Sequence, residues 1–287
     1  MPPSRALHPA AYAPLIDLAL REDLGAVDVE ADVTAAWTVA CDAEARARII
    51  ARQAGVVAGI EIARAVFARL DPRIAAYAEV ADGAEVVDGQ TLVRLQGRAR
   101  ALLAGERTAL NFLQQLSGVA TLTRRYVEAL SGTATRITDT RKTTPGWRHL
   151  QKWAVRLGGG VNHRMGLYDA VLIKENHAAA AGGVGAAIHA ARGQAAPIYA
   201  EAENLAEVAE ALAGGPDRIL LDNMDAPTLH RAVALIRAAN PAIEIEATGG
   251  YTLATVREAA AAEVDFVSIG ALTHSAPALD LSMLFEE

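Results

Sequence analysis

Cysteine is almost missing from this chain. Cys41 is the only one in 287 residues, so no disulfide can form within the chain and no cysteine-based metal site is possible. Histidine is present, but no H-x-x-x-H pair occurs. His149, His163 and His177 fall on different expected elements, so histidine makes no case for a metal centre. A G-x-S-x-G elbow and a Walker A loop are also absent, which leaves Ser/His/Asp chemistry without support. No charge-free apolar stretch is long enough to span a bilayer, so no membrane partner is expected. Met1 to Pro14 lacks a charged segment followed by an apolar one, and no signal peptide is read there. A reducing cytoplasm is the simplest expected location.

Net basic charge is lacking too. At −7 the chain is a poor non-specific binder of nucleic acid, and none is expected as a partner. Apolar residues make up 52% and charged residues 21%, a globular composition. Much of the apolar share is alanine, which signals helix propensity more than core volume. The charge is unevenly placed. Residues 136–177 hold eight Lys/Arg and three acids, which makes this segment +5 and the remainder −12. A solvated basic face is the ordinary fate of such a run. A pocket for a small anion is the alternative, and the placement of these residues favours it.

The first third reads as a small α+β unit. Helices are expected at 15–24 and 61–70, a strand and turn over 46–60, and short β runs at 74–80, 85–87, 91–95 and 98–103. Apolar spacing from Glu106 predicts a helix, and a second helix is expected from Gly118 to about Leu130. The domain boundary is placed there: an N-terminal domain over 1–117, a second over 118–270, and a tail over 271–287 expected to pack back on the first.

From residue 136 strands and helices alternate. Strands are expected at 136–139, 171–173, 198–202, 218–221, 243–246 and 265–269. Helices are expected near 147–157, 184–192, 205–213, 226–239 and 252–262, which implies a parallel sheet covered by helices. Each strand ends in a polar or glycine feature: Thr140-Arg141-Lys142, Lys174, Glu201 and Glu203, Asp222, Glu246 with Thr248-Gly249-Gly250, and Gly270. An open sheet concentrates such residues near one switch point, whereas a β/α barrel builds its site from all strand ends. The fold class expected is therefore α/β, with a barrel of fewer than eight strands.

These strand ends carry the chemistry. Arg141 and Lys142 suit a phosphate or carboxylate, with help from NH groups at the following helix start. Gly158-Gly159-Gly160 opens a loop able to approach a ligand, and His163 beside Arg164 suits a carboxylate, although a satisfied imidazole is the commoner fate of a lone histidine. Lys174 suits a phosphate or a Schiff base, followed by a polar turn at Glu175, Asn176 and His177. Glu201, Glu203 and Asp222 suit Mg2+, ribose hydroxyls or ion pairs with nearby lysines. Thr248-Gly249-Gly250 and Gly270 suit a phosphate cradle.

Taken together, Arg21-Glu22-Asp23-Leu24-Gly25, Asp32-Val33-Thr34, Glu106 to Asn111, the block TDTRKTTPGWRHLQKWAVRLGGGVNHRMGLYDAVLIKENH from Thr138 to His177, Leu221-Asp222-Asn223 and Glu246 to Gly250 resemble the quinolinate phosphoribosyltransferase family over nearly the whole chain. The resemblance implies an N-terminal α/β sandwich domain, a C-terminal α/β barrel, and a homodimer with shared active sites, with a higher oligomer also open. It implies a reaction of quinolinate with phosphoribosyl pyrophosphate (PRPP) that releases CO2 and makes nicotinate mononucleotide for NAD biosynthesis, with Mg2+ as cofactor. Arg107 would reach into the partner's site and, with Arg141, His163 and Arg164, hold the quinolinate carboxylates. Thr140 belongs to the same substrate-binding set. Lys142 and Lys174 would contact the pyrophosphate and the pyridine region. Glu201 and Asp222 would serve the metal and the ribose, and Thr248, Gly249, Gly250 and Gly270 the 5′-phosphate. Lys142, Lys174, Glu201 and Asp222 are the catalytic candidates. Thr248 stands where the family commonly has serine, and Ala26 to Ala31 reads as an insertion.

The nearest rival is a phosphoribosyltransferase-like paralogue linked to molybdenum transport. A Schiff-base aldolase and a non-catalytic anion-binding barrel are the readings from other classes.

Overall fold

Small and β-branched residues alternate with polar ones where the first sheet forms. In the computed structural model, which describes residues 7–194 and 196–286, β1 (Glu44–Ala51) buries Ala47, Ile49, Ile50 and Ala51. The reading of Met1 to Pro14 falls partly on residues outside that description. β2 (Gly55–Val56) pairs antiparallel with β4 (Glu85–Val86), which follows the helix Ile60–Leu70 and β3 (Ala75–Ala78). Next comes β5 (Thr91–Arg98), antiparallel to both β1 and β3. These elements belong to one unit, made of residues up to Arg124, Thr144–Gly159 and those from Ser275.

The sequence reading needs two corrections here. Of the run expected at 98–103 only Arg98 is in a strand, the end of β5, because one uninterrupted helix runs from Ala99 to Ala129. Ala, Leu and Arg are strong helix formers, and a long helix absorbs a short alternating run at its start. Nor does the helix break at Gly118. A Cβ on Gly118 would lie 2.1 Å from the Pro277 carbonyl oxygen, so the glycine is there for close approach and not as a terminator. The expected boundary at 117/118 therefore falls inside a helix. Residues 144–159, expected in the barrel domain, group with the first unit, where Trp147 stacks on Phe112 at 4.8 Å between centroids.

The second unit, Arg125–Thr143 with Gly160–His274, contains the repeat of strands and helices. Its strands are β6 (Arg136–Thr138), β7 (Val171–Ile173), β8 (Ile198–Ala202), β9 (Arg218–Asp222), β10 (Glu244–Thr248) and β11 (Phe266–Ser268). They form a parallel, barrel-like sheet of six in the order β6-β11-β10-β9-β8-β7. Helices at Val184–Ala191, Leu205–Gly214, Ala226–Ala239 and Val256–Ala261 separate the later strands, close to expectation. Asn204 and Asp225 cap two of them through their side chains. Glu175, Asn176 and His177, expected as a polar turn, instead begin the helix Glu175–Ala181. The chain then returns to the first unit as β12 (Leu281–Glu286), antiparallel to β1. Among the described residues, no helix is long and apolar enough to cross a membrane.

Candidate active site

Residues two apart on a strand share a face, and in the six-stranded sheet that rule lines up the site. One cavity of about 550 Å³ at the carboxyl ends of the strands is lined by Thr140, Arg141 and Lys142 after β6, Lys174 after β7, Glu201 on β8, Asp222 on β9, Thr248, Gly249 and Gly250 at β10, and Gly270 after β11. His163 and Arg164, on the loop before β7, complete the wall. These are twelve of the thirteen residues expected to bind substrate. The exception is Arg107, which lines a separate cavity of the first unit with Phe112 and Trp147.

Leu172, Leu220 and Ser268, which the sequence reading passed over, also line the cavity, as do Asn223 and Glu246, which it named in motifs without giving them a role. Leu172, Leu220, Glu246 and Ser268 each stand two residues before a recognised strand-end residue, so the period-two rule would have found them. Gly158 needs a correction of role. A Cβ there would lie 2.4 Å from the Ala120 carbonyl oxygen, so its lack of a side chain serves packing within the first unit.

The cations of the cavity are held firmly. Arg164 Nη1 donates to the Ala170 carbonyl at 3.0 Å, while its Nε is buried without a hydrogen-bond partner. Burial, and then the neighbouring Arg141 charge, push the Arg164 guanidinium below its ordinary value. Two like charges share one pocket, which suits an anionic ligand. Lys142 is exposed, and its carbonyl accepts from Thr273 Oγ1 at 2.8 Å. Lys174 Nζ donates to Glu201 Oε2.

Carboxylates line the same cavity. Burial raises the Glu201 pKa, Lys174 pulls it down, and Asp222 adds to the rise. Glu201 and Asp222 thus feel each other's charge, and they offer oxygen donors only. Mg2+ takes such a set when one or two carboxylates bind it together with substrate phosphates. Carboxylate oxygens of Glu175, Glu201 and Glu203 also lie within 4.8 Å of one another, so Glu201 belongs to both groupings.

The glycine end is tight. Gly249 has φ +106°, and a Cβ there would lie 2.2 Å from Asn223 Oδ1. Asn223, itself at φ 51°, donates its backbone NH to the Thr248 carbonyl at 3.0 Å. Backbone is therefore brought bare to the cavity at Gly249 and Gly250.

Two carboxylates fix the loop that bears His163 and Arg164. Asp139 accepts from Asn162 Nδ2 at 2.5 Å and from the His163 backbone NH at 3.0 Å, which fixes the loop bearing Arg164. Asp169 closes the far end of the loop by accepting from the Met165 and Gly166 backbone NH groups at 2.5 and 2.9 Å.

Known proteins are similar to this chain. Residues 32–117 match the model for the quinolinate phosphoribosyl transferase N-terminal domain and residues 119–284 the model for its C-terminal domain. The chain is 42% identical over 274 residues to a carboxylating nicotinate-nucleotide pyrophosphorylase of Mycobacterium leprae, spanning 92% of this chain and 94% of that protein. It is 41% identical over 290 residues to a decarboxylating quinolinate phosphoribosyltransferase of Nicotiana tabacum, covering 94% of this chain and 81% of the relative. A crystal structure of NadC from Streptococcus pyogenes superposes with a TM-score of 0.92 at 37% identity, over 99% of this chain and 100% of that one. Matched over both domains and across nearly its whole length, the chain belongs to the quinolinate phosphoribosyltransferase family.

Proposed function

We propose that the protein transfers the phosphoribosyl group of PRPP to the ring nitrogen of quinolinate and releases CO2, giving nicotinate mononucleotide and pyrophosphate, a step of NAD biosynthesis. The observation that carries this reading is the pairing of Arg141 and Arg164 in one cavity with Lys142, Lys174, Glu201 and Asp222. A dianionic acceptor and a polyanionic donor are the ligands such a set accommodates together.

In this reading Arg141 and Arg164 hold the acceptor's carboxylates, and His163 steadies that end of the cavity. Bare NH groups at Gly249 and Gly250, the Thr248 hydroxyl and the space over Gly270 receive the 5′-phosphate. Lys142 and Lys174 face the pyrophosphate, and Glu201 and Asp222 the ribose hydroxyls. Mg2+, held by Glu201 and Asp222, supplies neutralisation of the leaving pyrophosphate. The pyridine nitrogen bonds to ribose C1 as the C1–oxygen bond to pyrophosphate breaks. The ring is then a pyridinium, so the bond from C2 to its carboxylate breaks with the electron pair left on C2, which takes up a proton. The chain's contribution is orientation and charge stabilisation.

Two finer expectations belong to the same reading. A homodimer would bring the exposed Arg107 of one subunit to the acceptor site of its partner, and a higher oligomer is compatible with it. The exposed Leu18 beside Arg107 in the first unit's cavity supports such a contact. A cytoplasmic location is supported by the single, exposed Cys41.

The test is to mix purified protein with quinolinate, PRPP and Mg2+ and follow CO2 and nicotinate mononucleotide. Equal amounts of both are expected, with none when nicotinate replaces quinolinate or when chelator is added. Folded protein that forms neither product defeats the proposal.

A further inference from the structure

Glu246 takes no part in the reading above, yet it is among the most constrained side chains of the second unit. It is 0% exposed at the centre of β10, and its carboxylate lies at the floor of the cavity. Arg218 Nη1 donates to its Oε2 at 2.8 Å. Arg218 is itself fixed on every side. It lies over the Phe266 ring at 4.0 Å and the Tyr199 ring at 4.7 Å, and its Nε and Nη2 donate to Glu244 at 2.9 and 2.6 Å. Such a guanidinium anchors a carboxylate in one place.

Glu246 Oε2 also lies 3.6 Å from His163 Nε2. Arg218 and the Ser268 hydroxyl are the side-chain donors that act on this carboxylate, against the effect of its full burial. On the far side of the imidazole, the Arg164 backbone NH donates to His163 Nδ1 at 2.7 Å. The ring edge packs on Tyr199 with centroids 5.5 Å apart at 80°. A nitrogen that accepts a hydrogen bond carries no proton, so neutral His163 holds its proton on Nε2, facing Glu246. Catalytic hydrogen bonds that are long in the free protein commonly shorten when ligand binds.

We propose that Glu246 is a positioning residue for the acceptor end of the site: anchored by Arg218, it holds His163 in the Nε2–H tautomer and thereby sets the backbone of Arg164. This deepens the functional reading above and rests on it for the identity of the acceptor. It also changes the role of His163, whose Nδ1 is engaged by Arg164 and so is not a direct grip on a carboxylate.

The experiment is 15N NMR of the imidazoles in wild-type protein, with His163 assigned by a His163→Gln variant, and kinetics of Glu246→Gln. Wild-type His163 is expected as the Nε2–H tautomer. Oε2 is the oxygen that faces both Arg218 and His163, so in Glu246→Gln the neutral amide holds the imidazole Nε2–H more weakly and the Nδ1–H form gains population. That form cannot accept from the Arg164 NH. The KM for quinolinate is then expected to rise at least tenfold while the KM for PRPP stays within twofold. Equal rises in both KM values, or unchanged kinetics with an unchanged tautomer, would overturn the proposal. If Glu246→Gln does not fold, the wild-type spectrum still decides, because an Nδ1–H tautomer there contradicts the geometry. That spectrum needs no substrate. Wild-type protein that shows the expected tautomer but does not bind quinolinate counts against the functional reading alone.

Discussion

Lys174 and Glu201 are joined across the neighbouring parallel strands β7 and β8: the lysine Nζ donates to Glu201 Oε2, with side chains 44% and 8% exposed. The carboxylate is the buried partner and depends on the lysine more than the reverse. In the proposed reaction pyrophosphate competes for the same ammonium, so ligand binding frees Glu201 for ribose or metal.

Removing the lysine should therefore do two things. Lys174→Met is expected to lower kcat by about 100-fold or more, the scale of one charge-assisted contact made in the transition state. It should also destabilise the protein by roughly 1–3 kcal/mol, because Glu201 is left without its donor. Steady-state kinetics and urea unfolding check both.

Arg164→Ala is expected to weaken quinolinate binding about 100-fold, equivalent to about 2.7 kcal/mol. Burial and Arg141 already hold the Arg164 guanidinium below its ordinary value, and an anion relieves both effects. Calorimetric titration with quinolinate is the measurement, and an affinity within threefold of wild type would show that Arg164 does not carry the acceptor.

Gly249→Ala tests the phosphate end. The new Cβ would meet Asn223 Oδ1 at 2.2 Å and would have to adopt φ +106°. Strain at such a position costs about 1–3 kcal/mol. The expected outcome is a KM for PRPP raised at least tenfold, with quinolinate binding changed far less.

Gly118→Ala sets two effects against each other. In a helix interior alanine is worth about 1 kcal/mol over glycine. Here its Cβ would lie 2.1 Å from the Pro277 carbonyl oxygen, and overpacking costs roughly 1–3 kcal/mol. Net destabilisation is expected in thermal melts. A gain in stability would show that the close approach of Pro277 is not required.

Asp71 supplies an acid-dependent term in the first unit. Its side chain is 3% exposed and accepts from Arg73 and Arg98 at 2.7 to 3.1 Å. The hydrogen bond from the Arg73 side chain, ahead of the opposing effect of burial, holds its carboxyl well below the ordinary value of 3.8. A depressed folded pKa means stability that is present above the unfolded value and lost as pH falls through the folded one. Asp71→Asn should be less stable than wild type by roughly 2–3 kcal/mol at pH 7. That gap should narrow as pH drops below about 4 in paired unfolding curves.

The strand ends of the second unit were legible because each combines two local signals. A short apolar run such as Val171-Leu172-Ile173 has strand length, and the polar residue that follows, Lys174, has no place in a core. The six strands fall within two residues of their expected bounds for the same reason. Glu246 and Ser268 fall on the cavity face by the period of their strands, but their burial and partners are set by neighbouring strands, which no local pattern shows. The first unit was harder. Arg98 to Leu103 satisfies both a short strand and a helix start, and Gly118 carries the usual sign of a break.

The sequence by itself determined the order of the strands and helices in the second unit, the polar ends that line its cavity and, through its motifs, the family. Those follow from periodicity and residue chemistry along a few neighbouring positions. Only the tertiary structure decided that Ala99–Ala129 is one helix, that residues 144–159 belong with the first unit, and that Glu246 is held between Arg218 and His163. Each of these depends on residues distant in sequence: Pro277 against Gly118, Trp147 on Phe112, and a strand pair that brings Arg218 beside Glu244. Burial and ion pairing are properties of such neighbours, and no local pattern encodes them.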